Sequence, residues 1–281
     1  MGATTIEWCE FTFNPWRGCA KVQVGCRHCF AERYSIRQPD KFGTWGPDGR
    51  RVLAAESYWR QPLRWNDRAE EQGVQYRVFC GSLMDWCEDR EDLDESRDRL
   101  FRLIGATPHL TWLLLTKRPY LIEKAWRGGY RENVWVGYSA STQTDFDSHV
   151  DSLLAFDGAA LRFLSLEPLL EPMPQLRLDG IGWVIVGGES GPGARPMDPD
   201  WVRWIRDDCV AAGVPFTFKQ WGSWCCPEQM PEDTYAALDA RENLAGHGAY
   251  NEPWCVGKKR AGRLLDGREY NELCWEKRDD R

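Results

Sequence analysis

After Cys29 the chain repeats one pattern: a short apolar run rich in β-branched or aromatic residues, a small polar cluster, then a helical or turn segment. The runs are Tyr76–Gly81, Thr111–Leu115, Asn133–Gly137, Leu161–Leu166, Ile181–Val186 and Val214–Phe218. Nearly continuous apolar runs of this length suit strands of a parallel sheet covered on both faces. With a first strand at Phe11–Asn14, the pattern predicts an α/β fold of about seven strands alternating with helices. The expected architecture is a (βα)-repeat barrel or partial TIM-like barrel over residues 1–224. Residues 225–281 show no clear period and read as a C-terminal tail or small subdomain. Helices are predicted at Asp92–Ala106, Thr144–Phe156 and Pro199–Ala212, the last with Pro in its first turn and Gly213 at its end. Arg37–Arg51 reads as an inserted loop, and Pro168–Gly180, with three prolines, as another.

In barrels of this kind catalytic groups sit where strands end and loops begin. Here the runs end in Ser82–Asp85, Thr116-Lys117-Arg118, Ser139–Thr142, Glu167, Gly187–Ser190 and Lys219-Gln220-Trp221. One polar ending means nothing; six in succession point to a site at one face. Lys117, Arg118 and Lys219 suit a carboxylate or phosphate. Glu167 and Lys219 are the expected catalytic residues, although a simple salt bridge between Glu167 and one of the cations explains the glutamate equally well. Asp85 is a weaker candidate of the same type. Trp86, Trp221 and Trp224 could stack on a base, but with sixteen Trp in the chain most serve packing.

The chemistry is concentrated in residues 14–33, where Cys19, Cys26 and Cys29 fall within eleven residues and Gly18 and Gly25 each precede a cysteine. No apolar run is long enough to span a bilayer, and Met1–Thr5 lacks the features of a signal peptide, so a cytoplasm is the expected compartment. Eleven cysteines, an odd number, then read as thiols and metal ligands rather than as a disulfide framework. A structural zinc site needs four ligands. The fourth here would be His28 or a distant cysteine, and no second Cys-x-x-Cys pair exists. Three cysteines suit a 4Fe–4S cluster with one iron left open. The formal net charge of −7 excludes a global positive field for nucleic acid, so any such partner must meet a local patch. Lys258, Lys259, Arg260 and Arg263 form the densest basic run, which is either that patch or a solvated face.

The cysteine loop resembles that of the radical S-adenosylmethionine superfamily, with a first gap of six residues in place of the usual three. It is more similar to a phage and bacterial family of radical-enzyme-like proteins, long described as of unknown function. The shared motifs are Glu7-Trp8, Asn14-Pro15, the Cys-x6-Cys-x2-Cys loop followed by Phe30-Ala-Glu-Arg33, and Leu115-Thr-Lys-Arg-Pro119. Ser165-Leu-Glu-Pro-Leu169, Val186-Gly-Gly-Glu-Ser-Gly-Pro-Gly-Ala-Arg-Pro196, Phe218-Lys-Gln-Trp-Gly222 and Gly257–Gly267 complete the set. The resemblance implies an enzyme that uses a 4Fe–4S cluster on Cys19, Cys26 and Cys29 and S-adenosylmethionine to generate a 5′-deoxyadenosyl radical. It implies cofactor contacts from His28, which a solvated loop histidine explains equally well, and from Phe30, Ser82, Asp85 and Lys117. Gly187, Gly188 and Glu189 resemble the Gly-Gly-Glu element that holds the cofactor's amino group, although the glycines also permit a tight strand-to-loop turn. The expected partners are S-adenosylmethionine, an electron donor, and DNA or a modified nucleotide. The expected reaction is isomerisation of a nucleobase-linked group in phage DNA hypermodification. A non-catalytic, zinc-stapled protein that binds nucleic acid or a partner is the alternative.

Overall fold

A computed structural model describes residues 4, 6, 8–242 and 252–273; Glu7 of the shared motifs lies outside the described residues. Seven strands follow the predicted succession: β1 (Phe11–Phe13), β2 (Tyr76–Cys80), β3 (Leu110–Thr116), β4 (Arg131–Ser139), β5 (Ala159–Leu166), β6 (Trp183–Gly187) and β7 (Phe216–Gln220). They form one sheet in chain order, and that order has two ends, as in a partial (βα) barrel rather than a closed one. The α/β class is therefore the one the apolar runs announced. Helices of the structure include α1 (Phe30–Arg37), α2 (Gln61–Gln72), α3 (Asp94–Gly105), α4 (Gln143–Ala155) and α5 (Pro199–Ala212). No helix among the described residues is long and apolar enough to cross a membrane.

The chain divides into two compact units, one of Met1–Ser139 with Asp147–Phe163, the other of Ala140–Phe146 with Leu164–Arg281. In the first, β1 pairs with β2, β2 with β3 and β3 with β4, all parallel. Trp112, Leu113 and Leu114 of β3 are fully buried, which is why this strand reads as an unbroken apolar run. Burial of each such large side chain contributes about 1.5–3 kcal/mol. Phe13 stacks on Tyr58 and meets Trp59 and Trp112 edge-on. Trp86, Phe101, Trp126 and Phe156 make a second chain of edge contacts. Trp86 is thus packing, not a platform for a base.

In the second unit β6 and β7 pair in parallel, and every residue of β6 is buried. Both strands begin two residues later than the apolar runs suggest. Ile181 and Val214 are buried on the approach to the sheet but do not join its ladder, so hydrophobicity overstates the strand. Helix α5 matches its expected bounds. Asp198 accepts a hydrogen bond from the Asp200 amide at 2.8 Å, Pro199 opens the first turn, and Gly213 closes the helix at φ 70°. Beyond residue 224, Trp224–Cys225 pairs antiparallel with Trp254–Cys255, and Asn271 bridges antiparallel to Thr217 of β7.

Helices α1 and α2 have no counterpart in the sequence reading. Helix α1 buries only Ala31 and Ser35, and α2 only Pro62, Asn66 and Ala69, so neither shows an apolar stripe. The segment expected as an inserted loop contains a helical turn, Pro39–Phe42, and is tightly bound at its far end. The Arg51 guanidinium, paired with buried Glu88, donates to the carbonyls of Thr44 (3.0 Å), Gly46 (2.9 Å) and Gly49 (2.7 Å).

Candidate functional site

The cysteine loop leaves β1 and returns across the carboxyl ends of β2, β3 and β4. Polar side chains hold it there. Buried Asn14 donates to the Ser82 hydroxyl at 2.9 Å and accepts from the Leu83 amide at 2.8 Å, and the Gly18 amide donates to the Leu83 carbonyl at 3.1 Å. Further along, the Gln23 amide group donates to the carbonyls of Ser139 (3.0 Å) and Lys117 (3.4 Å). Lys117 Nζ reaches the Ser139 hydroxyl at 2.7 Å. Within this unit Ser82, Asp85, Lys117 and Ser139 therefore gather beside the loop that carries Cys19, Cys26 and Cys29, as expected. Gln23 is the anchor that sequence reading did not single out.

Behind the loop lies a buried ion pair. Asp85 accepts from the Cys87 amide (3.0 Å), the Thr116 hydroxyl (2.7 Å), the Lys117 amide (3.0 Å) and Arg118 Nη1 (2.7 Å). Arg118 in turn donates to the Ala20 carbonyl at 2.7 Å and stands 3.8 Å from Cys19 Sγ. Burial opposes the Arg118 charge, but Asp85, followed by Cys19, more than restores it. Burial pushes the Cys19 thiol up to about 12, Asp85 adds to this, and Arg118 works against it. The Cys29 thiol is also raised by burial, against the Glu32 and Ala31 amides that open α1. Cys26 precedes α1 in a 3-10 turn, Val24–Cys26, so both ends of the Cys-x-x-Cys pair sit on ordered backbone.

Among the described residues, no three His, Cys, Asp or Glu side chains stand close enough together to hold a single metal ion. A closed zinc site demands such a set, with sulfurs drawn within about 2.3 Å of one ion. A four-iron cluster takes each thiolate on a different iron and tolerates wider spacing. Three thiols with Lys117 and Arg118 beside them are a donor set that a four-iron cluster could take, one thiolate to each of three irons. His28 is half-buried with its carbonyl accepting from Arg33 at 3.1 Å, and Phe30 is 54% exposed, its ring against Tyr34. A cavity of about 420 Å³ lined by Glu88, Asp89, Asp94, Arg97, Lys124 and Arg127 adjoins this unit. Most of its charges have partners, Lys124 with Asp89, Arg97 and Arg127 with Asp94, and Glu88 with Arg51 outside the lining.

In the second unit, Glu167 and Lys219 form an ion pair at 2.9 Å, with the Ser165 hydroxyl 3.2 Å from the same carboxylate. A Cβ at Gly187 would meet Glu167 Oε1, so the carboxylate would have to shift. At Gly188 a Cβ would strike the Trp221 carbonyl, and at Gly222, with φ 87°, it would strike the Glu189 backbone. The two segments cross main chain to main chain, tied by Gly188 N to Gln220 O at 2.9 Å and Ser223 N to Glu189 O at 2.8 Å. Glu189 itself is buried, and its carboxylate accepts from the Arg195 amide (2.9 Å), Nε (2.8 Å) and Nη2 (2.6 Å). Trp221 is fully buried with its indole donating to the Leu264 carbonyl, and Trp224 donates to that of Ala194, so both are packing residues.

A family model described as "Protein of unknown function (DUF5131)" matches residues 3–274. No curated protein matches the chain. Among solved structures, it is similar to a double mutant of spore photoproduct lyase with AdoMet and dinucleoside spore photoproduct bound. That match has 13% identity and a TM-score of 0.42, over 64% of this chain and 56% of that one. A single mutant of the same lyase matches at 12% identity and a TM-score of 0.42, over 66% and 59%. The chain thus spans a little over half the length of these structures.

Proposed function

The chain belongs to the DUF5131 family over nearly its whole length, and from that premise we propose that it is a radical S-adenosylmethionine enzyme acting on a nucleobase-linked group. An amino-acid-modified thymidine in phage DNA hypermodification, rearranged by isomerisation, is the substrate we infer. The observation that carries the reading is the loop of Cys19, Cys26 and Cys29, fixed by Asn14, Gln23 and Arg118 at the carboxyl ends of parallel strands. In this reading Cys19, Cys26 and Cys29 would hold a 4Fe–4S cluster, beside which S-adenosylmethionine would bind. When bound, the pair supplies one-electron cleavage of the cofactor's sulfur–carbon bond, and through it hydrogen abstraction from an unactivated carbon, which no side chain can perform.

The protein's own residues bind, orient and shield. Lys117 and Arg118 place positive charge beside the thiolates, and buried Asp85 keeps Arg118 in place. His28, Phe30 and Ser82 are proposed to meet the cofactor around the same loop. Gly187 and Gly188 offer backbone that a ligand can approach closely, and Glu189 meets the cofactor's ammonium by exchanging Arg195 for it. Glu167 and Lys219, already hydrogen-bonded, are proposed to move a proton at the substrate. An electron donor completes the system. The test is anaerobic incubation of the reduced protein with S-adenosylmethionine and assay for 5′-deoxyadenosine. Brown protein that forms it, and a Cys26→Ala variant that neither holds iron nor forms it, is the expected result. A colourless protein that carries zinc and forms none would replace the enzyme with a metal-stapled binding protein.

A further inference from the structure

The net charge of −7 conceals a sharp segregation. Residues 17–51 carry eight Lys or Arg and three Asp or Glu, a local +5, so the rest of the chain carries −12. The same segment exposes apolar and aromatic side chains that a soluble surface ordinarily covers: Val22, Val24, Phe30, Tyr34 and Ile36 are 42%, 47%, 54%, 47% and 75% exposed. On α1, Phe30, Tyr34 and Arg37 succeed one another at helical spacing and share a face. The Phe30 ring meets Tyr34 edge-on at 6.2 Å, and Tyr34 stacks on Phe42 at 5.4 Å, with Lys41 Nζ 5.2 Å over the Phe42 ring. Arg27, Arg37 and Lys41 are exposed and form no ion pair among the described residues, whereas Lys21, Arg50 and Arg51 in the same segment do.

We propose that the face formed by residues 21–42 is a docking surface for single-stranded nucleic acid. Tyr34, flanked by Phe30 and Phe42, offers a stacking face, and Arg27, Arg37 and Lys41 meet the phosphates. Cations interleaved with open rings are what a single strand requires, because each base presents a π-face and each nucleotide a charge. The face itself carries Lys21, Arg27, Arg33, Arg37 and Lys41 against Glu32 and Asp40, a local +3 that supplies the charge complementarity the acidic remainder lacks. An acidic protein would find the charge but leave the rings without a matching use. The inference rests on the nucleobase part of the proposed function and is independent of the cluster.

The experiment is fluorescence anisotropy of a labelled mixed-sequence oligodeoxynucleotide with the full chain, titrated at several salt concentrations. Three phosphate contacts give a slope of log K against log salt of about −2 for a single strand. Tyr34→Ala should weaken binding about ten-fold. Combined Arg27→Gln, Arg37→Gln and Lys41→Gln should bring the salt slope towards zero, and thermal melts should be unchanged because all four side chains are exposed. Lys258→Gln with Lys259→Gln should bind like the wild type. Wild-type affinity in the Tyr34 and triple variants, or loss only in the Lys258–Lys259 variant, overturns the assignment. So does absence of oligonucleotide binding by a protein that instead binds an acidic electron carrier through the same residues. Cleavage of S-adenosylmethionine is scored separately: cleavage without oligonucleotide binding sinks the surface alone, and oligonucleotide binding without cleavage sinks the enzyme reading alone.

Discussion

Replacing Asp85 probes the link between the fold and the cysteine loop. Its carboxylate, 4% exposed, accepts four hydrogen bonds and gives none. In Asp85→Asn one oxygen becomes an NH2 group, and in either orientation that group faces two donors. Two buried donors then lose their acceptor, at about 1–3 kcal/mol each, and Arg118 loses its counter-charge. The expected destabilisation is about 3–5 kcal/mol, the usual cost of breaking a buried pair from one side. Arg118→Met should cost a similar amount, because it leaves the carboxylate buried without its cation. The double variant removes both charges together, so the two losses should fall short of additivity by about 2 kcal/mol or more. Urea denaturation followed by tryptophan fluorescence measures all three. Because Arg118 also holds the Ala20 carbonyl next to Cys19, alkylation of Cys19 by iodoacetamide, mapped by mass spectrometry, should be faster in both single variants. Additive losses, or an Asp85→Asn protein within 1 kcal/mol of the wild type, would refute the view that this pair organises the loop.

Three further outcomes are expected. Gly188→Ala should destabilise by more than about 2 kcal/mol, since its Cβ meets the rigid Trp221 carbonyl, while Gly129→Ala, which has no atom within 4 Å, should be near neutral in the same thermal melts. Burial alone would raise Asp266, but hydrogen bonds from Arg203, Arg206 and Gln229 hold its carboxyl down to about 2 from an ordinary 3.8. Its stabilisation is therefore complete above about pH 4 and fades as pH falls towards 2, so Asp266→Asn should lose stability at neutral pH and flatten that acid limb. Iron analysis of reconstituted protein should show Cys9→Ala and Cys209→Ala fully loaded and Cys19→Ala, Cys26→Ala and Cys29→Ala depleted, and a loaded Cys29→Ala protein would remove that thiol from the site.

What the sequence made legible was whatever hydrophobicity encodes by itself. The strands are buried on both faces, so β3 and β6 stand out as apolar runs; α5 stands out because Asp198, Pro199 and Gly213 are local signals that need no tertiary partner. Where a segment is held by polar contacts, periodicity says nothing. Helices α1 and α2 rest on Ala31, Ser35, Pro62, Asn66 and Ala69, and Asn66 earns its burial by accepting from the His109 amide at 2.9 Å. The loop anchors Asn14 and Gln23 bind backbone groups more than sixty residues away, which no spacing rule can foresee. Glu189 shows the same limit from the other side. A Gly-Gly-Glu string suggests a free carboxylate, yet the glycines and proline that follow let the chain turn back, and Arg195 arrives six residues later to take it. Charge behaves likewise: a whole-chain total of −7 argues against polyanions, and only the fold shows that Phe30, Tyr34 and Ile36 of the basic segment stay exposed. Composition averages over the chain, whereas a binding partner meets one face of it. Exposed Arg27, Arg37 and Lys41 are therefore a better guide to what approaches this loop than the net charge is.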